Sequence, residues 1–196
     1  MSNRRFLTRS GTIVTPETGV PSLRDIAIAL FRICRYAGQC DPFWTVGHHS
    51  LLVAEQVDER ERIYALLHDA EESITGDITR IAKNKENVAL GDALRGRIFD
   101  SLRIPHPTTA QWEEVKRADN DATLAELHTL LRGARQLKTA EELLMEAHST
   151  AKPSPRACQR LQYWLHQWTS SDCVSGDRPA EFFLDECWRA VGKLRL

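Results

Sequence analysis

The sequence predicts an all-α fold with a short N-terminal hairpin or arm. Two observations carry that reading. From Ser22 onward, apolar residues recur at helical spacing, punctuated by Gly, Pro, Asp and Thr where helices start or stop. Strand signals are nearly absent beyond the first segment, and no internal repeat or low-complexity tract occurs.

Each element has its own signal. "RFLTRSGTIVTPETG" places β-formers around a Ser-Gly turn, followed by Pro and Gly, and reads as a hairpin or irregular arm. In "SLRDIAIALFRICRYAG", Ser22 and Asp25 make an S-x-x-D start. Ile26, Leu30, Ile33 and Cys34 then follow at helix spacing, and Gly38 ends the element. "QCDPFWTVG" is a loop and "HHSLLVAEQV" a second helix. Asp58 is placed to cap "ERERIYALLHDAEE", whose buried side is Ile63, Leu66 and Leu67 and which Gly76 breaks. Asp77 caps a short turn, "ITRIAK". Helices are predicted over about 86–102, 109–131, 139–148, 155–169 and 178–193. "IPHPTT", "TAKPSPR" and "SSDCVSGD" are the connections.

A length of 196 residues suits one domain, or a core domain with an extension. We divide it into a core domain, 1–152, and a helical extension, 153–196, packed on the same domain. Tyr163, Trp164 and Trp168 suit core packing ahead of self-association. A net charge of −1 offers no basic surplus for nucleic acid. No apolar run reaches the ~18 residues of a membrane span, and "MSNRRFLTRSG" lacks the apolar stretch of a secretory signal. Cys34, Cys40, Cys158, Cys173 and Cys187 are odd in number and form no CxxC pair. That favours free thiols in a reducing cytoplasm over a disulfide framework or zinc knuckle.

The chemistry concentrates in "YALLHDAEESITGD", residues 64–77. A His-Asp dipeptide on a helix is usually a polar patch on a solvated face. Here it directly follows the apolar "YALL", where a carboxylate brought inward needs a partner or a metal. His68 and Asp69 would point about 100° apart on a helix, yet both can reach one ion beside it. With His49 from a second helix and Asp119 from a third, two imidazoles and two carboxylates would surround that ion. Mixed N/O ligation suits Zn²⁺, Mn²⁺, Co²⁺ or Fe²⁺ better than Ca²⁺.

These pieces resemble the HD-domain phosphohydrolases: "GHHSLLVA" with His49, "LLHDAEE" with His68 and Asp69, and "KRAD" with Asp119. The sequence is most similar to HD-domain 5′-deoxynucleotidases and the phage dATP triphosphohydrolases related to them. The likeness includes "HDAEESITGD", Arg35-Tyr36, the helix from His49 to Ala54, "LTRSG" at 7–11 and the "DIA…L" helix at 25–30. It covers about residues 6–122.

The resemblance implies an HD-domain helical bundle in which His49, His68, Asp69 and Asp119 hold a divalent metal ion, Zn, Co or Mn. Glu72 would be the acid/base, and Asp77 would orient the water or contact substrate. Arg35 would grip a phosphate with its guanidinium fork, and Tyr36 would pack on the sugar or base. Lys116, with Arg9, Lys83 or Arg117, would add the positive charge that a triphosphate needs. The "S-L-L-V-A" register selects His49 over His48, and "K-x-A-D" selects Asp119 over Asp121. His106, His128, His148 and His166 are structural or surface residues.

The expected activity is metal-dependent dephosphorylation of a deoxynucleoside triphosphate such as dATP. The alternatives are a 5′-deoxynucleotidase acting on monophosphates, and a non-catalytic HD fold that binds nucleotides or regulates. The absence of a G-Y-P triplet counts against cyclic-dinucleotide hydrolysis. Relatives in this family self-associate, so a homo-oligomer is expected by resemblance, with a nucleotide substrate and neither membrane nor nucleic acid as partner.

Overall fold

The computed structural model describes residues 4–131, 153–167 and 177–194. The predicted helix over 139–148, together with Trp168, Cys173, His148 and the "SSDCVSGD" loop up to Gly176, lies outside those residues.

The N-terminal arm is a hairpin. β1 (Phe6–Leu7) pairs antiparallel with β2 (Ile13–Val14), and Gly11 supplies the positive φ of the turn. Asp25, on the first helix, accepts hydrogen bonds from the Ser10 backbone N–H and hydroxyl, tying the hairpin turn to the helical body.

Eight helices follow among the described residues. α1 (Leu23–Leu30) starts at Ser22, whose side chain accepts from the Asp25 N–H. It stops at Leu30, well short of the expected Gly38. Beyond it the chain pairs with itself: Arg35 N–H donates to Trp44 O, Val46 N–H to Ile33 O, and Cys34 bridges Thr45. A single turn of 3₁₀ helix at Tyr36–Gly38 lies inside this loop, with Tyr36 and Ala37 at positive φ. These backbone bonds replace the helical ladder and fold Arg35 back toward the core.

α2 (Val46–Ala54) starts two residues before the predicted His48, with Thr45 as its N-cap. All nine of its residues are buried, so it is the central helix. α3 (Arg62–Leu66) and α4 (Glu72–Thr75) occupy the span where one long helix was predicted. Asp58 gives α3 no side-chain cap; its carbonyl instead accepts from Glu61 N–H. Gly76, with φ +75, ends α4 as expected. The predicted "ITRIAK" turn is held by Thr79 O, which accepts from the N–H groups of Ala82 and Lys83.

α5 (Lys85–Leu102) begins at Asn84. α6 (Thr109–Leu130) begins at a Thr108–Gln111 capping box, close to the predicted start. α7 (Pro155–Gln167) and α8 (Asp177–Leu194) follow among the described residues. α7 packs on α6 and α2, and α8 packs on α1, α2 and α3. One core joins Phe31, Leu52 and Leu66 to Leu161, Trp164, Phe183 and Cys187, so the extension shares the core of the first domain. Trp164 is buried and Tyr163 is exposed. Among the described residues no helix is long and apolar enough to cross a membrane.

Candidate metal centre

Three elements converge on one point: α2 with His49, the turn after α3 with His68, and α6 with Asp119. A ligating atom of each lies within 4.8 Å of the others. His49 Nε2 stands 2.9 Å from Asp119 Oδ1, and His68 Nε2 stands 3.9 Å from the same oxygen. The two imidazole centroids are 5.2 Å apart. Asp69, the expected fourth ligand, falls outside this trio. Its Oδ2 lies 3.1 Å from His68 Nε2, at the edge of the cluster.

The local backbone explains how adjacent His68 and Asp69 share one site. The helical ladder ends at Leu67, and Ala70 N–H and Glu72 N–H bond back only three residues, to Leu67 O and Asp69 O. His68 and Asp69 therefore sit in a tightened turn between two short helices, not on one continuous helix as predicted.

The hydrogen bonds fit a cation. His68 Nδ1 is 2.7 Å from Ala65 O, so Nδ1–H donates there and the lone pair lies at Nε2. That Nε2 is buried without a well-aligned hydrogen bond and faces carboxylate oxygens, which are acceptors. His49 Nδ1 is 2.8 Å from Glu126 Oε1, and its Nε2 faces Asp119. A neutral imidazole has one proton and cannot satisfy both carboxylates. The cluster lacks positive charge, and either added protons or one divalent ion supplies it.

The acid–base balance points the same way. Burial and Arg35 oppose a charge on His49, but Glu126 and Asp119 overcome them and push its pKa up to about 9. Burial likewise opposes His68, and Asp69 raises its pKa nonetheless. Burial works against ionised Asp69, Asp119 and Glu126. Even so, His68 holds Asp69 well below the carboxylate range, His49 lowers Asp119, and Arg35 with His49 takes Glu126 to about 2. Glu72 goes the other way: burial, then Asp69 and Asp77, push it up to about 10, so it keeps its proton at neutral pH.

Two cavities, of about 330 and 360 Å³, share Asp69, Glu72, Ile78, Lys83 and Asp119 in their walls, so the cluster stands between them. Arg35, Tyr36 and Asp77 line the larger. Trp112, Asn87 and Lys116 line the smaller.

The structure sorts the residues expected at the site. His49, His68, Asp69, Asp119, Glu72, Asp77, Arg35, Tyr36, Lys83 and Lys116 all line the cluster or its cavities. Arg9 does not; it borders a separate depression beside the hairpin. Arg117 is exposed and paired with Glu114. His48 points into the core, stacked on Trp44 with ring centroids 4.9 Å apart, and bonded to Thr45. Asp121 accepts from Ser154 at the start of α7.

No family model matches the chain. It is 39% identical over 56 residues to Uncharacterized protein YfdR of Escherichia coli K12, covering 29% of this chain and 32% of that protein. It is 36% identical over 108 residues to Uncharacterized protein RCAP_rcc00048 of Rhodobacter capsulatus, covering 49% of this chain and 54% of that one. The matches thus span about a third and about half of the relatives' own lengths.

One residue escaped the sequence reading. Glu126, on α6, is completely buried and accepts four hydrogen bonds. Its signal is positional: Val115, Ala118, Ala122 and Leu130 mark the buried face of α6, and Glu126 falls in that register, two turns beyond Asp119.

Proposed function

We propose that the chain is a metal-dependent phosphohydrolase of the HD-domain type, acting on deoxynucleotides and dephosphorylating a deoxynucleoside triphosphate such as dATP. The observation that carries the reading is the convergence of His49, His68 and Asp119, with Asp69 beside them, between two cavities that Glu72 also lines, the larger of them lined by Arg35 as well. His49, His68, Asp69 and Asp119 would hold Zn²⁺, Co²⁺ or Mn²⁺, and such an ion would supply Lewis acidity at the phosphoryl group and lower the pKa of water.

The chain's own residues do the rest. Burial, with Asp69 and Asp77, raises the Glu72 pKa, and its Oε2 is buried and without a hydrogen-bond partner, so it is fitted to hold a proton for the oxygen that leaves phosphorus. Arg35 spends Nε on Glu126 and keeps its Nη groups toward the larger cavity, beside Asp69 and Thr123. They provide a permanent charge for a phosphate. Tyr36 and Ile78 offer the same cavity a flat and an apolar wall for the nucleoside.

Cleavage of a deoxynucleoside monophosphate is the second reading, and one observation favours it. With Arg9 at a different depression and Arg117 paired to Glu114, the four extra cations invoked for a triphosphate reduce to Lys83 and Lys116.

The test is phosphate release from a panel of dNTPs and dNMPs, with metal analysis of the same protein. The expected result is turnover of dATP that His68→Ala and Asp69→Ala abolish and that exhaustive chelation removes. Turnover of monophosphates alone would transfer the assignment to the second reading. Full activity after chelation would end both.

A further inference from the structure

We propose that Glu126 is a positioning residue that fixes, through its two oxygens, a ligand of the cation site and the arginine of the substrate cavity. This rests on reading His49, His68 and Asp119 as a cation site. Oε1 accepts from His49 Nδ1 at 2.8 Å and from Trp44 Nε1 at 2.8 Å. Oε2 accepts from Arg35 Nε at 3.0 Å and from Tyr36 OH at 2.8 Å. The donors come from the loop after α1, the approach to α2 and α2 itself.

A carboxylate needed only for packing would have no reason to divide its bonds this way. Each oxygen of Glu126 takes one donor that borders the site and one aromatic side chain that buttresses it. With Nδ1–H given to Glu126, the lone pair of His49 lies at Nε2, the atom facing Asp119 and the cluster. With Nε given to Glu126, the Arg35 guanidinium plane is fixed and its Nη atoms are left for the cavity. Ligand tautomer and arginine orientation are then set by one side chain.

Glutamine at this position isolates the effect. It has nearly the same shape but one acceptor oxygen and one donor NH₂. Whichever way the amide turns, an NH₂ faces either His49 and Trp44 or Arg35 and Tyr36, and that pair of donors is released.

The experiment is a Zn²⁺ titration of the full chain against a competing chelator, for wild type and Glu126→Gln, with the thermal midpoint of each measured in parallel. The proposal expects Glu126→Gln to bind Zn²⁺ about 10–100-fold more weakly while still folded. A lowered midpoint with unchanged Zn²⁺ affinity would assign Glu126 to packing alone and overturn the proposal. Should Glu126→Gln fail to fold, zinc-loaded wild type decides by long-range ¹H–¹⁵N correlation. His49 protonated at Nδ1 supports the proposal, and His49 protonated at Nε2 overturns it. A wild type that binds no Zn²⁺ removes the cation site itself, and the proposal with it.

Discussion

At the scale of single residues, neighbours in sequence have opposite tasks. His48 and His49 are both buried, but one is core and the other faces the site. Burial drives the His48 pKa down to about 3, so it is a neutral ring packed against Trp44 and the edge of Phe31. His48→Ala should therefore lower unfolding free energy by about 2–5 kcal/mol, as other large-to-small core changes do, and leave bound metal unchanged. His49→Ala should do the reverse to metal content, removing most of it. Urea unfolding and elemental analysis of both variants check the pair; equal metal loss in the two would contradict the division. The register of "HHSLLVA" and of "KRAD", read by resemblance, singled out His49 and Asp119, and these two meet in the fold while His48 packs on Trp44 and Asp121 bonds Ser154. Glu126 was not legible in that way. Its meaning lies in donors contributed by residues about 80 to 90 positions away, and a glutamate in "LAELHTLL" looks like any helix carboxylate until the opposite wall is known.

At the scale of elements, the starts of α1 and α6 were legible because their caps are local. Ser22 and Thr108 bond to N–H groups three residues on. The ends of α1 and α3 were not, because distant contacts decide them. α1 stops where Arg35 and Val46 find strand-like partners, and α3 stops where His68 must turn into the cluster. Gly47 on α2 shows how closely these elements meet. A Cβ there would stand 2.5 Å from two atoms of the Phe31 ring. That ring is fully buried, with His48 at its edge and Phe183 5.9 Å away. In an exposed helix, Gly→Ala gains about 0.8–1 kcal/mol from propensity. Here overpacking, about 1–3 kcal/mol, opposes it, and the ring has nowhere to go. Gly47→Ala should therefore be destabilising by up to about 2 kcal/mol, read as a thermal midpoint up to a few degrees lower. A raised midpoint would mean that Phe31 is free to move.

At the scale of the whole molecule, the helical class was legible from periodicity alone, whereas of the aromatics that suggested core packing for the C-terminal helices Trp164 is buried and Tyr163 exposed. What periodicity leaves out is charge gathered from distant segments. Asp69, Asp119 and Glu126 are lowered in pKa by the charges around them, and Arg35 lies within 4 Å of Glu126 and Asp69 but not of Asp119. The turn after α3 and α6 bring these carboxylates to His49 on α2, and each element is anchored in the core. A divalent ion that binds the folded chain and not the unfolded one must then stabilise the entire fold. At a free concentration 100 times its dissociation constant, the gain is about 2.7 kcal/mol. For a chain of this length that corresponds to a midpoint roughly 5–10 °C higher. Asp119→Asn removes one ligand charge from a partly exposed position, so the variant should fold and lose most of this rise while Arg117→Ala, on the exposed face of α6, keeps it. Differential scanning calorimetry with Zn²⁺, Mn²⁺ and Co²⁺ measures all three proteins. A wild-type midpoint indifferent to every one of these ions would mean that protons on His49 and His68, and not a metal, balance the buried carboxylates.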